Sequence, residues 1–376
     1  MFAEVLGNCT PAYSPAMDTK EGKILTGDFA PQGRVAGVAF ALVWLLAVGS
    51  AVRAEPTPAL PDAFLHEIAT KAAHAQQAHQ PVIRGKAGWL FFTEELRSLG
   101  VGRFWGATAA NVRRASNPKN ADPLPAIVDF NQQLKQAGVR LILAPVPAKA
   151  VLHPGMVSEL PALQHAGQPP RLDAYNREFY RLLAARGVEG LDVVPTFLSQ
   201  RVNEDGFLCL AQDTHLSPTG RALMARLVAR KVAGSGWFSR VPKRNFVTSR
   251  TRVEYTGDLW TMLAVPTFPK TTLTRLTVKE RTPRGLVSVA PWRDSPVLLL
   301  GDSNAEALAD HLAAALGFPT DLICVLGSGA SVARRYLAMR TDNLKGKRVV
   351  VWCFSVREFT KGYGWTKVPV VVPTKR

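Results

Sequence analysis

Pro296-Val-Leu-Leu-Leu-Gly-Asp-Ser303-Asn304 is the stretch on which the fold turns. A run of apolar residues closed by a glycine and three good helix-capping side chains is the pattern of a strand buried on both faces that ends where a helix begins. Asn304 to Leu316 has helical apolar spacing, Asp321 to Leu326 is another short apolar run, Ser331 to Arg340 is helical, and Arg348 to Phe354 is apolar again. On the other side of the insertion described below, Val139–Val146 and Val188–Val194 read as strands. Pro61–Gln80, Pro125–Ala137, Arg171–Arg186 and Ser217–Val232 read as helices. Gly138 and Gly187 supply C-terminal stops, and Ser217-Pro218 supplies a capping hydroxyl with proline at the first helical position. Strands alternating with helices predict an α/β protein with a central parallel sheet covered on both faces. Gly234–Ala290, rich in Thr, Arg, Pro and aromatics, breaks the alternation and predicts an insertion of loops and short strands ahead of the serine-bearing strand.

The chain has 376 residues, 47% hydrophobic and 20% charged, which excludes a disordered tail, a collagen or a small disulfide scaffold. At roughly 150 residues per domain, two domains or one large domain with an insertion fit the length. The alternation places one domain over residues 60–365, with residues 366–376 as a tail. A net charge of +17 favours anionic partners such as an acidic polymer or a membrane surface. No basic run interleaved with aromatics appears, so nucleic acid is not an expected partner. There is no CxxC and no Cys/His cluster with zinc spacing, so no metal is expected; a disulfide among Cys209, Cys324 and Cys353 is left open. Neither a P-loop nor a dinucleotide fingerprint occurs, and no cofactor is expected.

Val35 to Val52 carries no charge and is bounded by Arg34 and Arg53, after an N-terminal tail over residues 1–34. Residues 35–54 read either as a signal peptide, ending in Val52-Arg53-Ala54, or as a retained membrane anchor. Both readings put the body in an exported compartment, free of the membrane in the first and tethered to it in the second.

In open α/β sheets the ligand site lies at the carboxyl ends of the strands. Ser303 stands at such an end, after Gly301, whose freedom suits a tight turn. It also stands at a helix N-terminus, where its own amide faces a developing oxyanion. The competing reading is that Asp302, Ser303 and Asn304 only cap the helix. A serine nucleophile needs a base and the base an orienter; Asp213-Thr214-His215 offers both, since in an extended segment residues two apart project to one side. His153 follows another strand end and is a rival for the same crevice, whereas His311 lies two turns along the helix and reads as structural. Trp352 and Arg357, at the end of the last strand, read either as core tryptophan and surface arginine or as a wall that binds a polar substrate. The G-x-S-x-G elbow is not matched, because position 305 is alanine.

Several pieces together resemble one family, the SGNH-hydrolase-like domain of the alginate O-acetyltransferases AlgX and AlgJ, with DltD more distant. They are Gly85–Phe92, Ala144–Pro154 with its Pro147-x-Lys149, Asp213-x-His215, Tyr255-x-Gly257-Asp258-Leu259 through Leu263, Gly301-Asp302-Ser303, and Val351-Trp352 leading to Arg357-Glu358. The pieces run in the family's order from about Val82 to Phe359. His153 stands where the family usually has tyrosine, and Cys353-Phe354-Ser355-Val356 departs from its usual ending.

The resemblance implies a flavodoxin-like α/β/α core with Ser303 as nucleophile, His215 as general base and acid, and Asp213 as orienter. The implied reaction moves an acetyl group through a serine ester to hydroxyls of an exported polysaccharide. A membrane-bound O-acyltransferase is the implied source of the acetyl group. An acetylesterase of the same fold, or a non-catalytic subunit of a polysaccharide-export complex, are the alternatives.

Overall fold

A computed structural model describes residues 59–112, 117–164, 167–263, 265–360 and 364–371; the candidate signal or anchor at 35–54 lies outside them. No helix among the described residues is long and apolar enough to cross a membrane.

Five parallel strands form the core: β1 (Arg140–Val146), β2 (Glu189–Gly190), β3 (Val297–Gly301), β4 (Asp321–Cys324) and β5 (Val349–Ser355). Their spatial order is β4-β3-β5-β1-β2, with Val297 to Gly301 paired to Val349 to Cys353. Leu298, Leu299, Leu300, Val350, Val351 and Ile142 are fully buried, as continuous apolar runs in a doubly covered parallel sheet must be. Counted from β3 and taking β1 and β2 last, the order is second, first, third, fourth, fifth. This is the flavodoxin-like order, entered two strands early. The order reverses beside β3, so the crevice expected at that reversal opens where Ser303 stands.

Among the described residues, the sheet is covered by α1 (Pro123–Gln136), α2 (Ala174–Ala184), α3 (Pro218–Ala233), α4 (Ser303–Leu316) and α5 (Gly329–Met339). Helices α3 and α4 pack together on one face. On the other, Phe130 of α1 and Ala330 of α5 meet Trp352 of β5. Ser217 caps α3 by accepting from the Gly220 amide at 3.1 Å, as its Ser-Pro signal predicts.

Two expectations are corrected. The strand expected at Val188–Val194 is two residues long, because Pro195 opens a helix at Val194–Ser199 and Asp192 accepts from the Val194 amide. The insertion is not short strands and loops. It is a three-stranded antiparallel sheet in which Asn245–Tyr255 pairs along its whole length with Thr271–Thr282, followed by Gly285–Ser288. Its β-branched content supports long strands despite low hydrophobicity.

Gly301 is required for a reason other than the one expected. Its φ is not positive; instead a Cβ there would lie 1.8 Å from the Cys353 carbonyl oxygen and 2.9 Å from Ala305 Cβ. The absent side chain lets β3, β5 and the first turn of α4 close on one another. Gly301→Ala is therefore expected to destabilise the fold by about 1–3 kcal/mol or more through overpacking. Gly190→Ala, with nothing within 4 Å of the added methyl, should be nearly neutral. Thermal denaturation of the two variants measures the contrast.

Candidate active site

The site is assembled from two loops and the start of one helix. Asp302 caps α4: its Oδ1 accepts from the Asn304 amide at 2.8 Å and from Asn304 Nδ2 at 3.1 Å, and both residues are buried. The Ala305 and Glu306 amides bond to the Asp302 carbonyl. The capping reading thus holds for Asp302 and Asn304, whose side chains are turned to each other rather than to a ligand. Ser303, between them, is the half-buried member and points its hydroxyl outward to His215.

The second loop, Cys209 to Leu216, is closed by a bridge between its ends and by the Leu210 amide on the His215 carbonyl. Asp213 and His215 come together in a bend, not by the alternation of an extended strand. Asp213 Oδ1 accepts the His215 backbone amide at 2.9 Å, an Asx turn, and the same oxygen lies 2.7 Å from His215 Nδ1. His215 Nε2 lies 2.8 Å from Ser303 Oγ. The structure therefore joins Ser303, His215 and Asp213 in one hydrogen-bonded chain across 88 residues of sequence separation.

The insertion completes this arrangement through a residue that sequence reasoning missed. Gly257 lies flat on the loop, where a Cβ would sit 1.8 Å from the Gln212 carbonyl oxygen. This brings the Asp258 amide to Asp213 Oδ2 at 3.0 Å. The Asp258 carboxylate accepts from the Thr214 amide and hydroxyl, and its Oδ2 lies 3.5 Å from His215 Nδ1. The only signal of Asp258 was its place in Tyr255-x-Gly257-Asp258.

Burial works against a charged His215, but the hydrogen bond to Asp213 and then Asp258 outweigh it and raise its pKa to about 9. Burial likewise disfavours a charged Asp213, yet the bond to His215 dominates and holds the carboxyl well below the usual range. Asp213, His215 and Asp258 place donor atoms within 4.8 Å of one another, a spacing that a metal ion would also accept. Those atoms are already matched to N–H and O–H donors from His215, Asp258 and Thr214, and Nε2 is turned to Ser303. The donor set suits a proton relay better than a cation.

The remaining candidates lie elsewhere. Trp352 is fully buried under α5 with its Nε1 on the Ala330 carbonyl, so it is a core residue and not a wall of the site. Arg357 sits at the carboxyl end of β5 but is turned inward, 3.3 Å from Glu358 and 3.8 Å from Glu95, with Phe92 beneath its guanidinium. It offers no open face to a substrate. His153 is packed between Trp89 and Phe207 at ring distances of 4.7 and 5.1 Å, and burial lowers its pKa to about 3. It remains neutral and outside the relay. Cys209, Cys324 and Cys353 are free thiols.

The sequence profile described as SGNH hydrolase-like domain, acetyltransferase AlgX, matches residues 82–356. The probable alginate O-acetylase AlgJ of Pseudomonas aeruginosa is 29% identical over 234 residues, covering 61% of this chain and 53% of that protein. The corresponding protein of Pseudomonas fluorescens is 25% identical over 292 residues, 73% of this chain and 68% of its own. The chain thus spans about half the length of the Pseudomonas aeruginosa relative. Among solved structures, the O-acetyltransferase domain of Pseudomonas putida AlgJ superposes with a TM-score of 0.56 at 22% identity, over 74% of this chain and 92% of that one. Pseudomonas aeruginosa AlgX superposes with a TM-score of 0.54 at 19% identity, over 73% and 61%. Both share the fold.

A raised His215 pKa has a defined sign. An imidazolium favoured in the native state contributes stability that is present below the unfolded value near 6.5 and is lost as pH rises through about 9. NMR titration should find the His215 midpoint near 9, and Asp258→Asn should move it down. His215→Gln should flatten the change in folding stability across that interval.

Proposed function

The chain belongs to the AlgX family of SGNH hydrolase-like acetyltransferase domains, and from that premise we propose that it is a serine O-acetyltransferase acting on an exported polysaccharide. The observation that carries the reading is the continuous contact from Asp213 through His215 to Ser303, at 2.7 and 2.8 Å. These are hydrogen-bond distances within which a base can take a proton from a nucleophile.

In the first half-reaction Ser303 Oγ attacks the acetyl carbonyl while Nε2 of the neutral imidazole, the minor form of His215 below about pH 9, takes the hydroxyl proton. Asp213 holds Nδ1–H and stabilises the imidazolium. The tetrahedral oxygen carries the developing negative charge. The Asn304, Ala305 and Glu306 amides are already taken by Asp302, so the Ser303 amide is the donor that this helix N-terminus offers. Collapse expels the donor's alcohol, which receives the proton from His215, and leaves acetyl-Ser303. In the second half a sugar hydroxyl gives its proton to His215, attacks the ester and leaves acetylated, returning the proton to Ser303. Water in place of the sugar would make the same site an esterase.

The substrate class follows from the relatives named as alginate O-acetylases and from charge. A net +17 suits an acidic polymer, and the inserted sheet carries Arg250, Arg252, Arg275, Lys279 and Arg281. We assign residues 35–54 as the export signal or inner-membrane anchor and residues 60–365 as the catalytic domain with its insertion at 234–290. A membrane-bound O-acyltransferase is the assigned acetyl source, so the reaction takes place in the periplasm or cell envelope.

Purified protein given an acetyl ester and oligosaccharides of uronic acids should yield acetylated sugar. Free acetate alone would make it an esterase. Ser303→Ala and His215→Ala should each lower transfer by about a thousandfold or more, since members of a relay act as a unit. Wild-type transfer by Ser303→Ala would overturn the serine mechanism.

A further inference from the structure

Beneath the Asp-Thr-His loop lies a buried ammonium that the reaction described above does not use. Lys149 begins the short helix that follows β1, is 5% exposed, and donates to the carbonyl oxygens of Leu210, Ala211 and Asp213 at 3.1, 3.1 and 2.9 Å. Burial works against a charge here and lowers the Lys149 pKa, with the Glu95 carboxylate opposing it, but only a protonated amine has three N–H groups to give to three carbonyls, so the contacts call for the charged form. The rings of Phe91 and Trp89 lie 5.2 and 5.9 Å from Nζ. The Lys149 backbone amide donates to Glu95 Oε1 at 2.9 Å, and Glu95 in turn faces Arg357. The lysine is thus fixed at both ends: by a buried carboxylate at its backbone and by the loop at its tip.

Resting on the serine mechanism above, we propose that Lys149 is a positioning residue: its ammonium clamps three carbonyls of the loop and so sets the distance between His215 and Ser303. The geometry supports this over a general packing role. All three acceptors belong to residues 210 to 213, and the last is the carbonyl of Asp213 itself. Neighbouring contacts hold the loop from other sides: the Leu90 amide on Ala211, Trp260 Nε1 on Gln212 Oε1, and the Asp258 amide on Asp213. The clamp comes from the sheet side, at the end of β1. It ties the loop to the same layer from which Ser303 projects at the end of β3. Removing the three donors frees the loop to shift by a fraction of an ångström to an ångström, and a misplacement of that size costs about a hundredfold in rate.

The test uses the full chain, a chromogenic acetyl ester and a fluorophosphonate that labels nucleophilic serines. Lys149→Met removes the donors and Lys149→Gln keeps two N–H groups, both on a stem one atom shorter than that of lysine. The expected result for Lys149→Met is a kcat about a hundredfold lower at unchanged KM. Labelling of Ser303 should slow equally but still reach one label per chain, with Lys149→Gln intermediate. If Lys149→Met does not fold, Lys149→Gln decides alone by the same readouts. Wild-type kcat in the folded variant would overturn the proposal, as would a fall in label stoichiometry with an unchanged rate per labelled chain. So would failure of both variants to fold, which would make Lys149 a folding residue. A wild-type chain that the probe does not label at Ser303 would instead refute the serine mechanism, and so the two failures are distinct.

Discussion

The Asp213 carboxylate is the point on which the site depends. It is nearly buried, and its oxygens accept from the His215 amide, His215 Nδ1 and the Asp258 amide at 2.7 to 3.0 Å. Bonds to a charged acceptor are worth roughly 1.5–3 kcal/mol each, and a buried carboxylate left without them would pay its full desolvation cost. That asymmetry makes the turn nearly all-or-none. With the bonds in place, the ring has one orientation, with Nδ1 on Asp213 and Nε2 on Ser303; without them the loop has no reason to present His215 to Ser303. The Coulombic effects agree, since each member of the pair favours the charged form of the other.

Everything around this carboxylate serves its placement. The order β4-β3-β5-β1-β2 sets the end of β3 at the reversal of the sheet, and Gly301 lets the chain pass beside the Cys353 carbonyl without a side chain to push it away. The loop with Asp213 leads directly into α3, which packs on α4, the helix that Ser303 begins. The insertion is part of the same construction. Gly257 and Asp258 lie between its two long strands and also hold the loop, so the insertion contributes second partners to the relay.

Much of this was legible in the sequence because the signals are local. Apolar runs bounded by caps located β3, β5 and β1, and Ser217-Pro218 located α3 to within a residue. Ser303, His215 and Asp213 could be picked out because a serine at a strand end and a Asp-x-His before a capped helix are short patterns. What was not legible depends on burial and on contacts between distant segments. Whether Trp352 lines a crevice or fills a core is decided by Phe130 and Ala330, more than 200 and more than 20 residues away in the chain, respectively. Arg357 turns inward because Glu95 and Glu358 are there to meet it. Asp258 and Lys149 stand inside the matched motifs, but their partners are mostly backbone amides and carbonyls of the Asp213 loop, to which the sequence does not point. The two-residue β2 reflects a proline that starts a helix, a local cue that the apolar pattern masked.

In a serine mechanism the acetyl group resides on Ser303 between donor and acceptor. The most direct measurement is rapid acid quenching of the protein after mixing with an acetyl ester, followed by digestion and mass mapping. One acetyl group is expected on the peptide that carries Ser303, lost when oligosaccharide is added and recovered on the sugar. Acetyl transfer with no modified peptide, or with the group on another residue, would contradict it.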